Sequence, residues 1–272
     1  MKKNSPIEKP HFICIGSQRA GTTWLHECLS EHPDVFVPEQ KELHFFNTHY
    51  EKGLEYYQSH FLEADENNKN LVVGEVTPNY YHDKTALLRI KEHYPNVKII
   101  FILREPVSRA FSHYQLSSMG PFQGLSFKDA YQQFNVIKYL SNQSQHLQNV
   151  FEIFGNKHVL VKFYDDISKQ PENFVSSVYK FIDVNADFVP EKINQRINRI
   201  VLPDLQDKLN RLGLSFIIEL VKKSPFSELI KKKFQGNTKT NNKNDLAEYK
   251  KDFTQDIENL ESLLDVNLEH WK

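Results

Sequence analysis

Short apolar runs rich in β-branched residues alternate, over the first two-thirds of the chain, with segments whose apolar positions recur every three or four residues. The runs are Phe12–Ile15, Leu71–Val73, Val97–Leu103 and Val159–Phe163. The amphipathic segments are Thr22–Ser30, Lys84–His93, Val107–Met119, Gln145–Phe154 and Pro171–Ile182. Runs of this length fit strands, and the segments between them fit crossover helices. Repeated β-then-α order predicts a three-layer α/β/α fold around a central parallel sheet, P-loop-like at its first turn. From about Pro203 the pattern turns helical, over Asp204–Leu212, Ser215–Lys223, Phe226–Phe234 and Leu246–Leu264. Residues 235–245, QGNTKTNNKND, are polar and lack an apolar anchor, which predicts a mobile loop or lid. No internal repeat is visible. The expected organisation is one domain over residues 11–272 behind a disordered leader, residues 1–10.

Composition narrows the classes. A chain of 272 residues suffices for one large α/β domain. Its 34 Lys and Arg are balanced by 35 Asp and Glu, which argues against a nonspecific nucleic-acid binder, so any anion site is local. No apolar run reaches membrane-spanning length, and the lysines near Met1 are not followed by the apolar stretch of a secretory signal. Cys14 falls on an expected strand and Cys28 on the following helix. They read as small buried hydrophobes rather than a disulfide or metal pair, which points to a reducing, cytoplasmic location. The twelve histidines are scattered, without a metal-binding spacing. The G-x-S-x-G of a serine hydrolase is absent.

Candidate chemistry begins with GSQRAGTTW, residues 16–24, between the first strand and the first helix. A glycine-rich turn there lets backbone N–H groups converge on an anion, and the helix dipole adds to the attraction. Gly16 and Gly21 permit the turn; Thr22 and Thr23 add hydroxyl donors. The spacing nearly matches the nucleoside-triphosphate loop G-x-x-x-x-G-K-[ST], but Thr22 stands where its lysine would be and the cation is Arg19 instead. That favours a single 5′-phosphate bearing a leaving group over a β,γ-phosphate pair with magnesium; an ordinary strand-to-helix turn is the bland alternative. A second candidate is Val97–Ser118, where Arg104 follows a buried strand, Pro106 suits a first helical turn, and Ser112 lies almost two turns further on. Arg104 and Ser112 could bind one anion at the carboxyl end of a second parallel strand, where such sheets place ligands. Two phosphate sites on one sheet suggest a nucleotide phosphorylated at both ends.

These residues carry a resemblance to sulfotransferases that use 3′-phosphoadenosine 5′-phosphosulfate (PAPS), the heparan-type and bacterial carbohydrate enzymes above all. GSQRAGTTWL resembles the family's 5′-phosphosulfate loop, with Arg19 at a Lys-or-Arg position. LREPVSRAFSHY resembles its 3′-phosphate motif, with Arg104 and Ser112 at the matching positions. KELHFFNTHYEKGLEYY (residues 41–57), GEVTPNYY (74–81), VLVKFYDDI (159–167) and LESLLDVNLEHW (260–271) also fit. The resemblance implies PAPS as co-substrate, 3′-phosphoadenosine 5′-phosphate (PAP) as product, no metal, and a saccharide or glycolipid acceptor. It implies nucleotide contacts from Gln18, Arg19, Ala20, Gly21, Thr22, Thr23, Trp24, Arg104 and Ser112. In that picture Arg19 stabilises the leaving phosphate.

An attacking hydroxyl or amine must lose a proton, so a base is required. By the match to the family's KE-x-HFF stretch that base is Glu42, with Lys41 and His44 on the acceptor side. Read without the motif, Glu42 is a solvated surface residue and His44 a core side chain. Glu75, near the end of an expected strand, is the competing base; it could equally orient Arg19 or cap a backbone amide. The chain departs from the heparan pattern at Val76, where those enzymes carry a lysine; either Arg19 alone carries the load, or Lys41 or Lys84 could replace it. It departs again at Gln143, where a tyrosine is common, and over 235–243, which matches the closing turn loosely. Phe45, Phe46, Tyr56, Tyr57, Tyr80 and Tyr81 read as core, with some available to a sugar cleft. Two other readings stay open: a P-loop nucleotide kinase, and a PAP-binding module without catalysis.

Overall fold

The computed structural model describes residues 9–62, 64, 71–118, 120–194 and 246–272. Within them β1 (Phe12–Gly16), β2 (Val35–Phe36), β3 (Val72–Val76), β4 (Lys98–Leu103) and β5 (Val159–Phe163) form one parallel sheet, ordered β2-β3-β1-β4-β5. The helices used below are α1 (Thr22–Glu31), α2 (Leu54–Ser59), α3 (Lys84–His93), α4 (Pro106–Ser117), α5 (Phe127–Gln133), α6 (Asn135–Tyr139), α7 (Gln143–Phe154), α8 (Tyr164–Lys169), α9 (Pro171–Phe181) and α10 (Thr254–Leu264). By contacts, residues 1–195 with 249–272 form one unit and residues 196–248 another. The helices expected over 204–234, the loop at 235–245 and residues 1–8 of the leader lie outside the described residues.

The sheet is central because its strands are apolar on both faces. Phe12, Ile13, Cys14 and Ile15 are fully buried, as are Ile99 to Leu103. Truncating one of these isoleucines to alanine would cost about 2–5 kcal/mol. After β1 the chain builds β2 and β3 to one side, then crosses to β4 and β5 on the other. The carboxyl ends of β1 and β4 therefore flank the point where strand order reverses, the position at which such sheets bind ligands.

Several boundaries differ from the pattern, each for a local reason. β3 runs through Gly74-Glu75-Val76, because the Glu75 carboxylate finds three internal hydroxyl donors. α7 starts at Gln143, since Asp256 on α10 accepts the N–H groups of Gln143 and Ser144 at 3.1 and 2.8 Å and caps the helix from outside. The expected helix from Leu246 is a 3-10 stretch, Ala247–Phe253, followed by α10. Aromatic rings fill the space behind residues 41–57: Phe45 stacks on Tyr57 at 4.8 Å, and Phe46 meets Tyr57 and Tyr80 edge-on. Phe45, Phe46, Tyr57, Tyr80 and Tyr81 are buried, so these rings form core and do not line a sugar cleft.

Candidate active site

β1 ends at Gly16, whose φ is 151° and whose missing Cβ would meet the Tyr81 ring at 2.6 Å. Gly21 has φ 84°, and a Cβ there would stand 2.4 Å from Ile167 Cδ1. Only glycine fits these two positions. Between them Arg19 takes a left-handed φ of 71°, an uncommon conformation for a residue with a side chain. α1 then begins at Thr22 without a side-chain cap, so its first amides lack an intrahelical acceptor and suit an anion. Ala20 and Thr22 are buried. The Trp24 indole donates to the Ile193 carbonyl at 3.0 Å and meets the Phe174 ring edge-on.

The two candidate phosphate turns meet. Arg19 Nε donates to Ser112 Oγ at 3.0 Å, and Arg104 Nη1 donates to the Arg19 carbonyl. The Arg104 guanidinium lies over the Tyr164 ring, 4.4 Å from its centre, and its buried Nε has no partner among the described residues. Burial, then the like charge of Arg104, depresses the pKa of Arg19. The fully buried Arg109, one turn before Ser112, adds positive charge: burial, and further on Arg104 and Arg19, lower its pKa too, with Tyr81 opposing. Arg109 itself donates to Ser141 Oγ at 2.8 Å and to the Ile137 carbonyl at 3.2 Å, so its charge acts from within the core, while Arg19 and Arg104 are the guanidiniums that border the loop.

Residues 41–46 close the other side. Leu43 N–H donates to Thr77 Oγ1 at 3.0 Å, which ties this segment to the end of β3. Lys41 Nζ stands 3.1 Å from Glu42 Oε1 and 3.4 Å from Thr23 Oγ1 on α1. Glu42 Oε2 is 3.1 Å from His44 Nε2, and His44 itself has a left-handed φ of 51°. Burial would raise the Glu42 pKa, but the hydrogen bond from His44 and the Lys41 charge outweigh it and hold the carboxyl below its ordinary value. The same hydrogen bond raises His44. Lys41, Glu42 and His44 thus form one charged cluster reaching the phosphate loop. Lys84 is exposed on α3, whereas Lys41 Nζ reaches Thr23 in the first turn of α1.

Glu75 is elsewhere. It is 1% exposed and accepts from Tyr57 at 2.7 Å, Thr77 at 2.6 Å and Tyr80 at 3.4 Å. Burial pushes its pKa up to about 7 against those donors. It neither orients Arg19 nor caps a backbone amide; through Thr77 it supports the segment carrying Glu42. Gln143, Thr77 and Tyr164 were not singled out as site residues by the sequence. Each nevertheless had a signal: Thr77 and Tyr164 lie in the GEVTPNYY and VLVKFYDDI matches, and Gln143 is a position at which the sequence departs from the resembled pattern.

A family model described as "Sulfotransferase domain" matches residues 9–271. The chain belongs to the sulfotransferase family. Heparan sulfate glucosamine 3-O-sulfotransferase 6 of Homo sapiens is 30% identical over 185 residues, 64% of this chain and 52% of that protein. Membrane-associated sulfotransferase kil1 of Dictyostelium discoideum is 36% identical over 108 residues, 40% of this chain and 23% of that protein. The chain spans about half or less of these relatives' length. A solved sulfotransferase from Alicyclobacillus acidocaldarius shares the fold over 97% of this chain and 99% of its own, with a TM-score of 0.68 at 22% identity. The sulfotransferase resemblance and the P-loop-like parallel fold both hold. Both cysteines are free and buried. Among the described residues no cluster of potential metal ligands is present and no helix is long and apolar enough to cross a membrane.

Proposed function

We propose that this sulfotransferase-family chain moves the sulfuryl group of PAPS to a hydroxyl or amine of a saccharide or glycolipid. The observation that carries the reading is the junction of the two turns, Arg19 Nε to Ser112 Oγ at 3.0 Å, where strand order reverses. A nucleotide charged at both ends suits two adjoining cationic turns; the 5′ end falls to residues 18–24 and the 3′-phosphate to Arg104 and Ser112. The acceptor's proton passes to the Glu42 carboxylate as its oxygen or nitrogen bonds to sulfur. The bridging sulfur–oxygen bond to the phosphate breaks, and PAP leaves with the charge that Arg19 stabilises. Lys41, between Thr23 and Glu42, supplies a second cation, and His44 keeps Glu42 ionised. The saccharide class draws support from relatives named for heparan sulfate. The two free cysteines support a reducing, cytoplasmic setting.

The test is incubation with labelled PAPS and a panel of saccharides, glycolipids and phenols, with products read by mass. Transfer to a sugar supports the proposal; transfer to phenols alone overturns the acceptor class. PAP binding without transfer to any acceptor leaves a binding module. Arg19→Ala is expected to cut kcat at least about a hundredfold while PAP affinity falls far less. An unchanged kcat removes Arg19 from the chemistry.

A further inference from the structure

Gln143 is fully buried at the start of α7, and its carboxamide joins the roots of both anion-binding turns. Oε1 accepts the Arg104 N–H at 3.1 Å, and Nε2 donates to the Arg104 carbonyl at 2.6 Å. The same Oε1 is 3.2 Å from the Ser17 hydroxyl, whose single proton is shared with the Ile102 carbonyl at 2.9 Å. Ser17 opens the loop that carries Arg19, and Arg104 follows directly on β4. A primary amide offers an acceptor and a donor on neighbouring atoms, which this backbone pair requires. Leucine would leave the Arg104 amide and carbonyl unmatched, and an ionised glutamate would press an oxygen against that carbonyl. The backbone of Gln143 is itself fixed, because Asp256 on α10 accepts its N–H and that of Ser144.

We propose that Gln143 is a positioning residue that fixes the spacing of the two phosphate-binding turns and thereby sets selectivity for a nucleotide phosphorylated at both ends. This rests on the reading above that both turns hold one nucleotide. A ligand with two charged ends gains from its second contact only when the two receiving sites keep the matching separation. If the spacing floats, that gain shrinks while each turn retains its own grip on a single phosphate.

The experiment is calorimetric titration of wild type, Gln143→Leu and Gln143→Glu with PAP and with adenosine 5′-phosphate, which engages one turn. Wild type is expected to prefer PAP. In Gln143→Leu that preference falls about tenfold or more while affinity for adenosine 5′-phosphate stays within about twofold. In Gln143→Glu the preference is low near about pH 8 and recovers, relative to wild type at the same pH, near about pH 5.5. There the buried carboxyl is protonated and again donates to Arg104. A purely structural role would weaken both nucleotides alike and give no acid recovery, and either result overturns the proposal. Should Gln143→Leu fail to fold, the two pH arms of Gln143→Glu decide. Wild type that prefers PAP, with the ratio unchanged in both variants, refutes the role of Gln143 alone. Wild type without a preference for PAP refutes the two-turn reading and this proposal together.

Discussion

Glu42 and Glu75 are the two carboxylates that compete for the role of base, and their surroundings push them in opposite directions. For Glu42, burial works upward, but the His44 hydrogen bond and Lys41 outweigh it, so its folded pKa lies below the unfolded one. Its stabilising contribution is present above the unfolded pKa and lost as pH falls through the folded one. His44, raised first by that hydrogen bond, contributes fully below its unfolded pKa and loses the contribution as pH rises through its folded one. The pair is therefore tightest between those limits, and kcat should fall on the acid side below the ordinary carboxylate range. Replacing His44 with glutamine is expected to move that acid limb upward, read from kcat against pH; an unmoved limb would separate His44 from Glu42. Glu75 has its pKa raised to about 7 by burial. Its ionisation opposes folding, so stability present below its unfolded pKa is lost as pH rises toward about 7. Glu75→Gln should flatten that decline in denaturant midpoints relative to wild type. Glu42→Gln should abolish transfer while PAP still binds. If Glu75→Gln alone abolishes transfer, Glu75 is the base.

At the scale of elements, the β1–α1 turn depends on close approach by α8. A methyl at position 21 would sit 2.4 Å from Ile167 Cδ1 and carry a φ of 84°. Gly21→Ala is expected to cost about 1–3 kcal/mol in chemical denaturation. Adding Ile167→Ala should return part of that loss, since it relieves the collision but not the backbone. Strict additivity of the two changes would refute the contact as the cause. That turn was legible because the apolar strand FICIG ends on Gly16 and Gly21 follows five residues on; β4 and β5 were legible as short runs rich in β-branched residues. β2 was not, being two residues long, and neither was the π-helical turn Phe45–His49. Arg19, Arg104, Ser112 and Glu42 could be found through motifs, because each motif keeps its chemistry within a few residues. The Lys41–Thr23 contact spans 18 residues and the Gln143–Ser17 contact 126, so local spacing carries no trace of either. A glutamine before a helix looks like an ordinary surface residue; its burial follows only once α10 delivers Asp256 to cap α7.

For the molecule as a whole, the question is what the guanidiniums of Arg19 and Arg104, backed by the buried charge of Arg109, are there to receive. Like charges held together cost stability unless an anion offsets them, so the ligand that belongs here should stabilise the entire fold. A ligand at one hundred times its Kd contributes about 2.7 kcal/mol. For a chain of this size that corresponds to a rise in Tm of roughly 5–10 °C. PAP is expected to give such a rise with or without magnesium, because none of its proposed contacts uses a metal. ATP with magnesium should give little, since Thr22 stands where a triphosphate loop has its lysine. Arg104→Ala should remove most of the PAP shift, and because Arg104 also donates to the Arg19 carbonyl, any shift from adenosine 5′-phosphate should fall too, by less. The ordering of ligands in a melting experiment therefore separates the two enzyme classes before any acceptor is known. A larger shift with ATP and magnesium than with PAP would favour a kinase and refute the transfer mechanism built on Arg19 and Glu42.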